Sequence, residues 1–452
     1  MDREEIAQSC LEQAGWAAKL GSPMYDALLR RIAADVRAGG PCFAALEPHM
    51  AWTRGLASNL LLAAIHRMVL EGGLPEAARF YPSMGGKADV DALWPHFLAA
   101  VPRAVLPASV QMNDVERSRA LLPGFLDVVR RTALPLRLLE IGASAGLNLR
   151  WDHFPFLDVP ATVRVIERRG CDLNPLDPTL DATRATLLSF IWPDQTSRFR
   201  QLVEALEIAR RVPAPVDRSD AVPWLQSQLA DPFPAAATVV FHSFFLPYLS
   251  EDTREDLRRI IEQAGQRATA DAPVAWLSME PGADVHLTVW PSGERRLIAQ
   301  VAVGGTIRVV PDDTVHFTRR LSASPDRVFR AWTTAGLLSR WLAPKAECDA
   351  RVGGHYRLAV NTPEGDHVVS GEYRELDSGR RIVKTWVYEG PMSPEGKMAA
   401  LLTVDFKPDA DGTQIEIQHE GLTSPAYATA IRSGAWPHAL EQLEKLLADP
   451  AV

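Results

Sequence analysis

Hydrophobic positions along the chain change their spacing twice, near residue 134 and again near residue 311. Before the first change, apolar side chains recur at helical spacing. In residues 22–40 one such stripe is formed by Leu28, Leu29, Ile32 and Val36. Ser22 and Pro23 are residues that favour a helix start, and the double glycine at 39–40 favours its end.

Two further stretches of this first region have the same character. Residues 54–73 carry an apolar face and also end in a double glycine. Residues 113–132 predict two helical pieces, because Pro123-Gly124 interrupts the stripe. Together these segments predict a helical cap over residues 1–133.

From residue 134 to about 305, short apolar runs alternate with helical stretches. The predicted strands are 136–141, a segment within 161–175, 237–245 and 273–280. A capped amphipathic helix over 250–265 separates the last two. Residues 286–303 predict a closing antiparallel hairpin around Pro291-Ser292-Gly293. Alternating strands and helices favour a parallel sheet that is covered on both faces.

After residue 311 the pattern changes to that of an antiparallel domain. One strand (314–321) precedes two short helices, which carry Trp332 and Trp341. The predicted strands that follow are 355–361, 367–376, 380–389, 400–408 and 413–420. A long amphipathic helix (436–447) comes last. We therefore predict a third domain over residues 314–450.

Composition narrows the class of protein only a little. The 452 residues are 47% hydrophobic and 23% charged, which fits a globular protein of two or three domains. The formal net charge is -8, with both signs mixed along the chain. This balance argues against nonspecific binding to nucleic acid or to an anionic membrane.

Cysteine usage and the apolar runs indicate the compartment. The four cysteines, which lie far apart in sequence, are Cys10, Cys42, Cys171 and Cys348. We therefore expect neither a disulfide framework nor a metal site. The first ten residues are acidic and polar, unlike a signal peptide. The longest apolar run, 237–249, is shorter than the ~20 residues that span a bilayer. We expect a cytoplasmic protein without membrane insertion.

The stretch EIGASAG, residues 140–146, follows a predicted buried strand and places small residues at alternate positions. Glycine in such a turn allows a ligand to approach the backbone, because no side chain intervenes. An acid at the end of the next strand, Asp172, would accept hydrogen bonds from ribose hydroxyls. The alternative is a tight strand-to-helix turn with no ligand.

These residues resemble the first two motifs of class I S-adenosylmethionine-dependent methyltransferases. Their motifs have the form acid-x-Gly-x-Gly-x-Gly and Gly-x-Asp-x-Asn/Ser-Pro. The chain departs from the first motif at Ser144, where the family has glycine. The resemblance covers about residues 134–305 and implies a Rossmann-like α/β fold and S-adenosylmethionine as cofactor. The cofactor-binding residues that it implies are Glu140, Gly142, Ser144, Gly146, Asp172, Asn174 and Asp220.

Alternatives remain for the polar residues that flank this turn. Asp220 is a candidate for contact with an adenine, Asp217 competes with it, and a helix cap is an equally good interpretation of Asp220. His242, at the end of the fourth predicted strand, is the candidate for a catalytic base. It also fits a hydrogen-bonded core histidine.

A closer resemblance covers residues 1–305. The stretches EIGASAGLNLRWDHF, ERRGCDLNP, IWPDQ and VVFHSFFLPYL look like an uncharacterised bacterial family, a domain of unknown function with helices before a methyltransferase-like core. That resemblance implies no established activity.

The order of elements in 314–450 resembles the α+β helix-grip fold of START-like (SRPBCC) proteins. It is most similar to the AHSA-like branch, through FTRRLSASPDRVFRAWTTAGLLSRWLAP and RRIVKTWVYEG. The fold implies a tapering space between the sheet and the last helix, either filled by side chains or open to an apolar ligand. The pocket residues that we predict are Trp332, Trp341, Tyr356 and Trp386.

Two functional hypotheses follow. The first is a methyltransferase that acts on a small apolar or amphipathic molecule, which the C-terminal domain captures. The second is a ligand-binding or sensing protein with no catalysis. Protein partners, and whether the chain is an enzyme, stay open at this point.

Overall fold

The chain folds into two compact units, Met1–Val309 and Val310–Val452, in the computed structural model. The structure describes residues 2–49, 57–107, 113–282, 284–302, 306–311, 313–363, 365–393, 396–409 and 412–449. None of the helices within these ranges is both long enough and apolar enough to cross a membrane.

Helices dominate the first unit before residue 133. The α-helices of the whole first unit are α1 (Arg3–Lys19), α2 (Pro23–Ala38), α3 (Pro41–Leu46), α4 (Ala57–Leu70), α5 (Pro75–Ala78), α6 (Val90–Ala100), α7 (Arg117–Thr132), α8 (Asp181–Ser189), α9 (Thr196–Ala209), α10 (Ala221–Gln228) and α11 (Glu251–Gln266). The predicted helix 54–73 corresponds to α4, and its first three residues lie outside the described part of the chain. The Ser22 side chain caps α2 by accepting from the backbone of Tyr25, as its sequence position predicts.

One prediction for this region is wrong, since α7 is a single helix through Pro123. Proline removes one backbone hydrogen bond from the helix. The buried face of α7, with Leu121, Phe125 and Val128, extends across this point and holds the two halves in line. Gly124 lets the helix approach the sheet closely, because a Cβ there would overlap the side chain of Leu277.

The first unit is built on a mixed sheet of eight strands. They are β1 (Leu136–Ile141), β2 (Val165–Asp172), β3 (Val216–Arg218), β4 (Ala237–Ser243), β5 (Val274–Met279), β6 (Asp284–Trp290), β7 (Glu294–Val301) and β8 (Ile307–Val309), in the order β3-β2-β1-β4-β5-β6-β7-β8. The first five are parallel, and β6 to β8 are antiparallel. The predicted hairpin of β6 and β7 is confirmed.

Strand order locates the place where a ligand can bind. From β1 the chain moves to β2 and β3 on one side and then to β4 and β5 on the other. The order therefore reverses between β1 and β4. Ligands of open α/β sheets bind beyond the carboxyl ends of the strands at such a switch point.

The second unit is a seven-stranded antiparallel sheet with helices. Its elements are β9 (Val315–Leu321), α12 (Pro325–Thr333), α13 (Ala335–Trp341), β10 (Lys345–Cys348), β11 (His355–Thr362), β12 (Gly365–Asp377), β13 (Arg381–Glu389), β14 (Met398–Asp409), β15 (Gly412–Glu420), α14 (Pro425–Ala430) and α15 (Trp436–Leu447). The strand order is β10-β11-β12-β13-β14-β15-β9. Burial alternates along β13 and β15, so one face of the sheet packs on the core together with α15. This arrangement is consistent with a helix-grip domain.

Candidate functional site

A crevice of about 480 Å³ opens beyond the carboxyl ends of β1 to β4 in the first unit. Five of the seven predicted cofactor-binding residues line it: Gly142, Ser144, Asp172, Asn174 and Asp220. The other two, Glu140 and Gly146, are absent from the described lining. The volume lies in the range of ~300–1,000 Å³ that small-molecule sites usually have.

Asp172 ties the glycine turn to the end of β2. Its Oδ2 accepts a hydrogen bond from the backbone N–H of Ser144 at 2.8 Å, and its Oδ1 accepts from the N–H of Asn174 at 2.8 Å. A carboxylate offers about four acceptor positions. Asp172 can therefore hold the turn in place and still accept a hydrogen bond from a ligand in the crevice.

The turn has a backbone conformation that side chains rarely adopt. Gly142 and Gly146 have φ of 69° and 64°, and Ser144 has φ of 52°. Phe244, at the end of β4 on the facing side of the crevice, has φ of 51°. Non-glycine residues with positive φ cost free energy and persist only where surrounding contacts hold them. At Ser144 those contacts include the Asp172 carboxylate.

Phe245 covers Gly142. A Cβ at position 142 would overlap the Phe245 ring, and the ring itself lines the crevice. The Phe245 backbone is held by its N–H, which donates to Glu280 Oε1 at 3.1 Å. Gly142 is therefore required by this aromatic contact, independently of any ligand.

Arg117, at the start of α7, brings positive charge to the crevice. Its Nη1 donates to the carbonyl oxygen of Ser243 at 3.1 Å, and its guanidinium lies 4.8 Å from the Phe244 ring centroid. Phe245 and Arg117 were both missed by sequence reasoning. Arg117 lies 25 positions before Gly142 in the helical region, and no local pattern links it to the turn.

Glu140 lies beneath the turn rather than in the crevice. Its side chain is 3% exposed, and its Oε2 has no hydrogen-bond partner in the described part of the chain. Burial raises the pKa of this carboxyl well above its usual value, although Arg117 and Arg150 oppose the shift. Gly146 is likewise internal, since a Cβ there would meet Val216 Cγ2 at 2.8 Å.

Replacing Glu140 with Gln is expected to change the pH dependence of stability. The folded carboxyl binds a proton that the unfolded one releases above pH ~4.5, so the wild-type free energy of unfolding falls as pH rises through this window. Relative to wild type, Glu140→Gln should gain up to about 1.4 kcal/mol for each pH unit above ~4.5, until the folded pKa is passed. Urea unfolding from pH 4.5 to 8 measures this difference. Glu12→Gln, on the exposed face of α1, is the control, and equal pH slopes for both variants would refute the assignment.

Asp220 caps α10, where its Oδ1 accepts from the N–H of Val222 at 2.9 Å, and it also lines the crevice. The helix-cap interpretation is therefore confirmed, and contact with an adenine stays a prediction. Asp217 pairs with Arg169 at 2.9 Å and accepts from the indole of Trp224. It is not among the described residues that line the crevice.

His242 is fully buried, and both of its ring nitrogens are engaged. Nε2 accepts from the Trp276 indole N–H at 3.0 Å, so the proton of the neutral ring lies on Nδ1. Nδ1 then donates to Glu280 Oε1 at 2.6 Å. Glu280 in turn accepts from Phe245. His242 thus braces the loop that carries Phe245, which favours the core interpretation over a catalytic base.

A second cavity, of about 710 Å³, lies within the second unit. Its lining is mostly apolar and includes two of the four predicted pocket residues, Trp341 and Trp386. Trp332 and Tyr356 are not among its described lining residues. Trp332 is fully buried against Trp341 and Trp436, and Tyr356 donates from its hydroxyl to the carbonyl oxygen of Thr385 at 2.6 Å. Both are core residues, because these ring contacts and this hydrogen bond hold their side chains away from the cavity.

The fold and the crevice define the first unit as an α/β domain with a helical N-terminal region and a ligand-sized opening at its switch point. The chain belongs to the family described as "Uncharacterized protein conserved in bacteria (DUF2332)", whose model matches residues 7–157 and 155–307. A second model, "Activator of Hsp90 ATPase homolog 1-like protein", matches residues 322–448. The C-terminal part is therefore an AHSA1-type (SRPBCC) domain fused to the first.

No curated protein matches the chain. Similar solved structures include protein MLL2253 from Mesorhizobium loti, with 24% identity over 30% of this chain and 96% of that chain, and a TM-score of 0.27. Protein CV1439 from Chromobacterium violaceum has 28% identity over 31% of this chain and 99% of that chain, with a TM-score of 0.28. CalU16 from Micromonospora echinospora has 21% identity over 40% of this chain and 86% of that chain, with a TM-score of 0.25.

Proposed function

We propose that the crevice of the first unit binds S-adenosylmethionine, and that the chain is a methyltransferase-like protein acting on a small apolar or amphipathic molecule. One observation carries this proposal: the Asp172 carboxylate lies against the glycine turn, at the switch point of the sheet, and lines the crevice. We further propose that the cavity of the second unit holds the amphipathic molecule. The parallel order of β3 to β5 supports a Rossmann-like core.

The side chains around the crevice fit the groups of this cofactor. Asp172 would accept hydrogen bonds from the ribose hydroxyls, and Asp220 would lie near the adenine. Arg117 supplies the positive charge that a carboxylate at the other end of the cofactor needs. When bound, the cofactor supplies an electrophilic methyl group. The chain's own task is then to orient an acceptor and to exclude water, which needs no dedicated base when the nucleophile is already activated.

A second candidate, binding without catalysis, is favoured by Phe245. Its ring occupies the space directly over Gly142, where a close backbone approach would be needed. His242 and Glu280 hold the segment that carries it, so the cover is built into the fold. In this alternative the crevice binds an adenosyl ligand as a signal, without transfer of a methyl group.

Titration of the full-length protein with S-adenosylmethionine by calorimetry tests the proposal. Wild type is expected to bind, and Asp172→Ala to bind at least about tenfold more weakly, because a charged hydrogen-bond acceptor contributes ~1.5–3 kcal/mol. Asp172→Asn keeps the size of the side chain and one acceptor oxygen for the turn. Asp181→Ala removes an equal charge from the exposed start of α8 and should leave binding unchanged.

The two candidate functions differ in the next measurement. Transfer of a labelled methyl group to any small molecule of a cell extract supports the enzyme. Binding without transfer supports the non-catalytic alternative. If the wild type releases no heat at concentrations where a control methyltransferase binds S-adenosylmethionine, an adenosyl ligand would be refuted for both candidate functions.

A further inference from the structure

Lys384 is a buried lysine inside the second unit. It lies on β13 between Ile382 and Trp386, on the face of the strand that is directed to the core. Its side chain is fully buried, and its Nζ makes no hydrogen bond or ion pair within the described part of the chain. An ammonium has three donors, and burying them without acceptors costs several kcal/mol.

Four aromatic rings surround this amine. The Nζ lies 4.1 Å from the ring centroid of Tyr356 and 5.6–5.8 Å from those of Tyr373, Trp332 and Trp386. Contacts with ring faces offset part of the cost of removing a cation from water. They do not replace an acceptor oxygen, since a ring face accepts no directed hydrogen bond of comparable strength.

His419, on β15, is a second buried donor, and it lies beside Trp386. Its Nδ1 accepts from the Trp436 indole N–H at 3.3 Å, so the ring proton lies on Nε2. That Nε2 has no partner among the described residues, and the ring is fully buried. The centroid of the His419 ring lies 4.8 Å from that of Trp386. We call Lys384 and His419 the donor pair.

The donor pair lies one side chain away from the apolar cavity. Trp386 and Trp436 line the cavity, and each also contacts a member of the pair. The rest of the lining is mainly aliphatic and aromatic, for example Leu358, Val360 and Val369. The polar lining includes His367 and His438. The donor pair lies at the buried end of this interior, and most of the remaining lining suits an apolar body.

We propose that the donor pair is the anchor for the carboxylate of an amphipathic monocarboxylic acid, whose apolar part fills the cavity of the second unit. One ammonium and one neutral N–H match a single negative charge with two acceptor oxygens. A doubly charged phosphate would leave a net negative charge in the core. Entry of the carboxylate displaces one of the two indoles that separate the pair from the cavity. This inference rests on the proposal that the cavity binds a small amphipathic molecule.

The titration of Lys384 gives this anchor a pH signature. Burial lowers the pKa of Lys384 to about 7. The titratable groups that face it are the Cys348 thiol, the hydroxyls of Tyr356 and Tyr373, and His419. Burial raises the pKa of the first three and lowers that of His419 to about 3, so all are neutral near pH 7. A bound carboxylate stabilises the ammonium, and its affinity should fall as pH rises above about 7.

Calorimetric titration of the full-length protein with decanoate and with decanol tests the anchor. Wild type is expected to bind decanoate at least about tenfold more tightly than decanol at pH 6.5, and the preference should shrink by pH 9. Lys384→Met has similar volume and lacks the charge, so it should lose the preference while still binding decanol. Binding of decanol also shows that the variant is folded. Lys407→Met, on the exposed side of β14, should behave as wild type.

The outcomes separate this inference from the proposed function. Equal affinities for acid and alcohol in wild type, or a preference that survives Lys384→Met, would overturn the anchor and leave cavity binding intact. No binding of either compound would overturn both. A parallel titration with 2-naphthoate distinguishes an aromatic from an aliphatic body, and a dependence on Lys384 for either acid supports the anchor.

Discussion

Phe125→Ala is expected to destabilise the first unit by about 3–5 kcal/mol, the usual cost of deleting a fully buried phenylalanine ring. Phe125 is fully buried and lies on α7. Its ring stacks on Trp151 at a centroid distance of 4.5 Å and meets Phe241 edge-on at 5.2 Å. The substitution removes an aromatic contact that α7 makes with β4 and with the segment that follows the glycine turn.

The loss should reach the crevice, because these same elements carry its walls. Arg117 begins α7, and Ser243 ends β4. Hydrogen exchange of the full-length protein measures the effect, since peptides from β1 and β4 should lose about two to four orders of magnitude of protection. Ile166→Ala, at a half-exposed position on β2, should cost less than about 1 kcal/mol. Protection in Phe125→Ala equal to that of this control would show that the aromatic cluster does not support the sheet.

Gly371→Ala is expected to destabilise the second unit by about 3 kcal/mol, at the upper end of the range for overpacking. Gly371 lies on β12, and a Cβ there would overlap the carbonyl oxygen of Thr385 on β13 and lie 2.9 Å from Tyr356 Cε1. The obstacle is backbone, which cannot rotate away as a flexible side chain can. Thr385 is further fixed because its carbonyl oxygen accepts from the Tyr356 hydroxyl and its side chain accepts from the N–H of Glu372.

Gly336→Ala is the matched control for this substitution. Gly336 lies in the short helix α13, and a Cβ there would meet nothing within 4 Å. Alanine favours a helix by up to about 1 kcal/mol over glycine, so this variant should be as stable as wild type or slightly more stable. Thermal unfolding followed by near-UV circular dichroism compares the two. A Gly371→Ala transition at the wild-type temperature would show that β12 and β13 can separate locally without cost.

Much of the architecture could be predicted from the spacing of apolar residues. The alternating pattern of 413–420 falls within β15, whose burial alternates because one face of the strand packs on the core. The predicted strand 367–376 falls within β12. The capped stretch 250–265 became α11, with Ser250 accepting from the N–H of Thr253. Pro123 misled the prediction, since a local breaker was overridden by the burial of a continuous helix face.

The sequence could predict only those residues of the crevice that lie at the carboxyl end of a strand or directly after it. Gly142 and Ser144 follow β1, and Asp172 is the last residue of β2. Parallel strands place such residues at one edge of the sheet. Arg117 and Phe245 reach the same edge from a helix and a loop. Their side-chain directions depend on packing that no local pattern contains.

The sequence by itself determined the alternation of strands and helices in the first unit and the antiparallel strands of the second. It also determined that an acid, Asp172, follows the glycine turn at the end of the next strand. Periodicity and turn chemistry are local properties of the chain. Only the tertiary structure decided that Phe245 covers Gly142 and that the nitrogens of His242 are both engaged. It also decided that the Lys384 amine, among four rings, has no hydrogen-bond partner in the residues that the structure describes. Those facts depend on contacts between residues far apart in sequence. Whether a buried polar group finds a partner is decided by the three-dimensional packing around it, so the identity of the residue alone cannot reveal it.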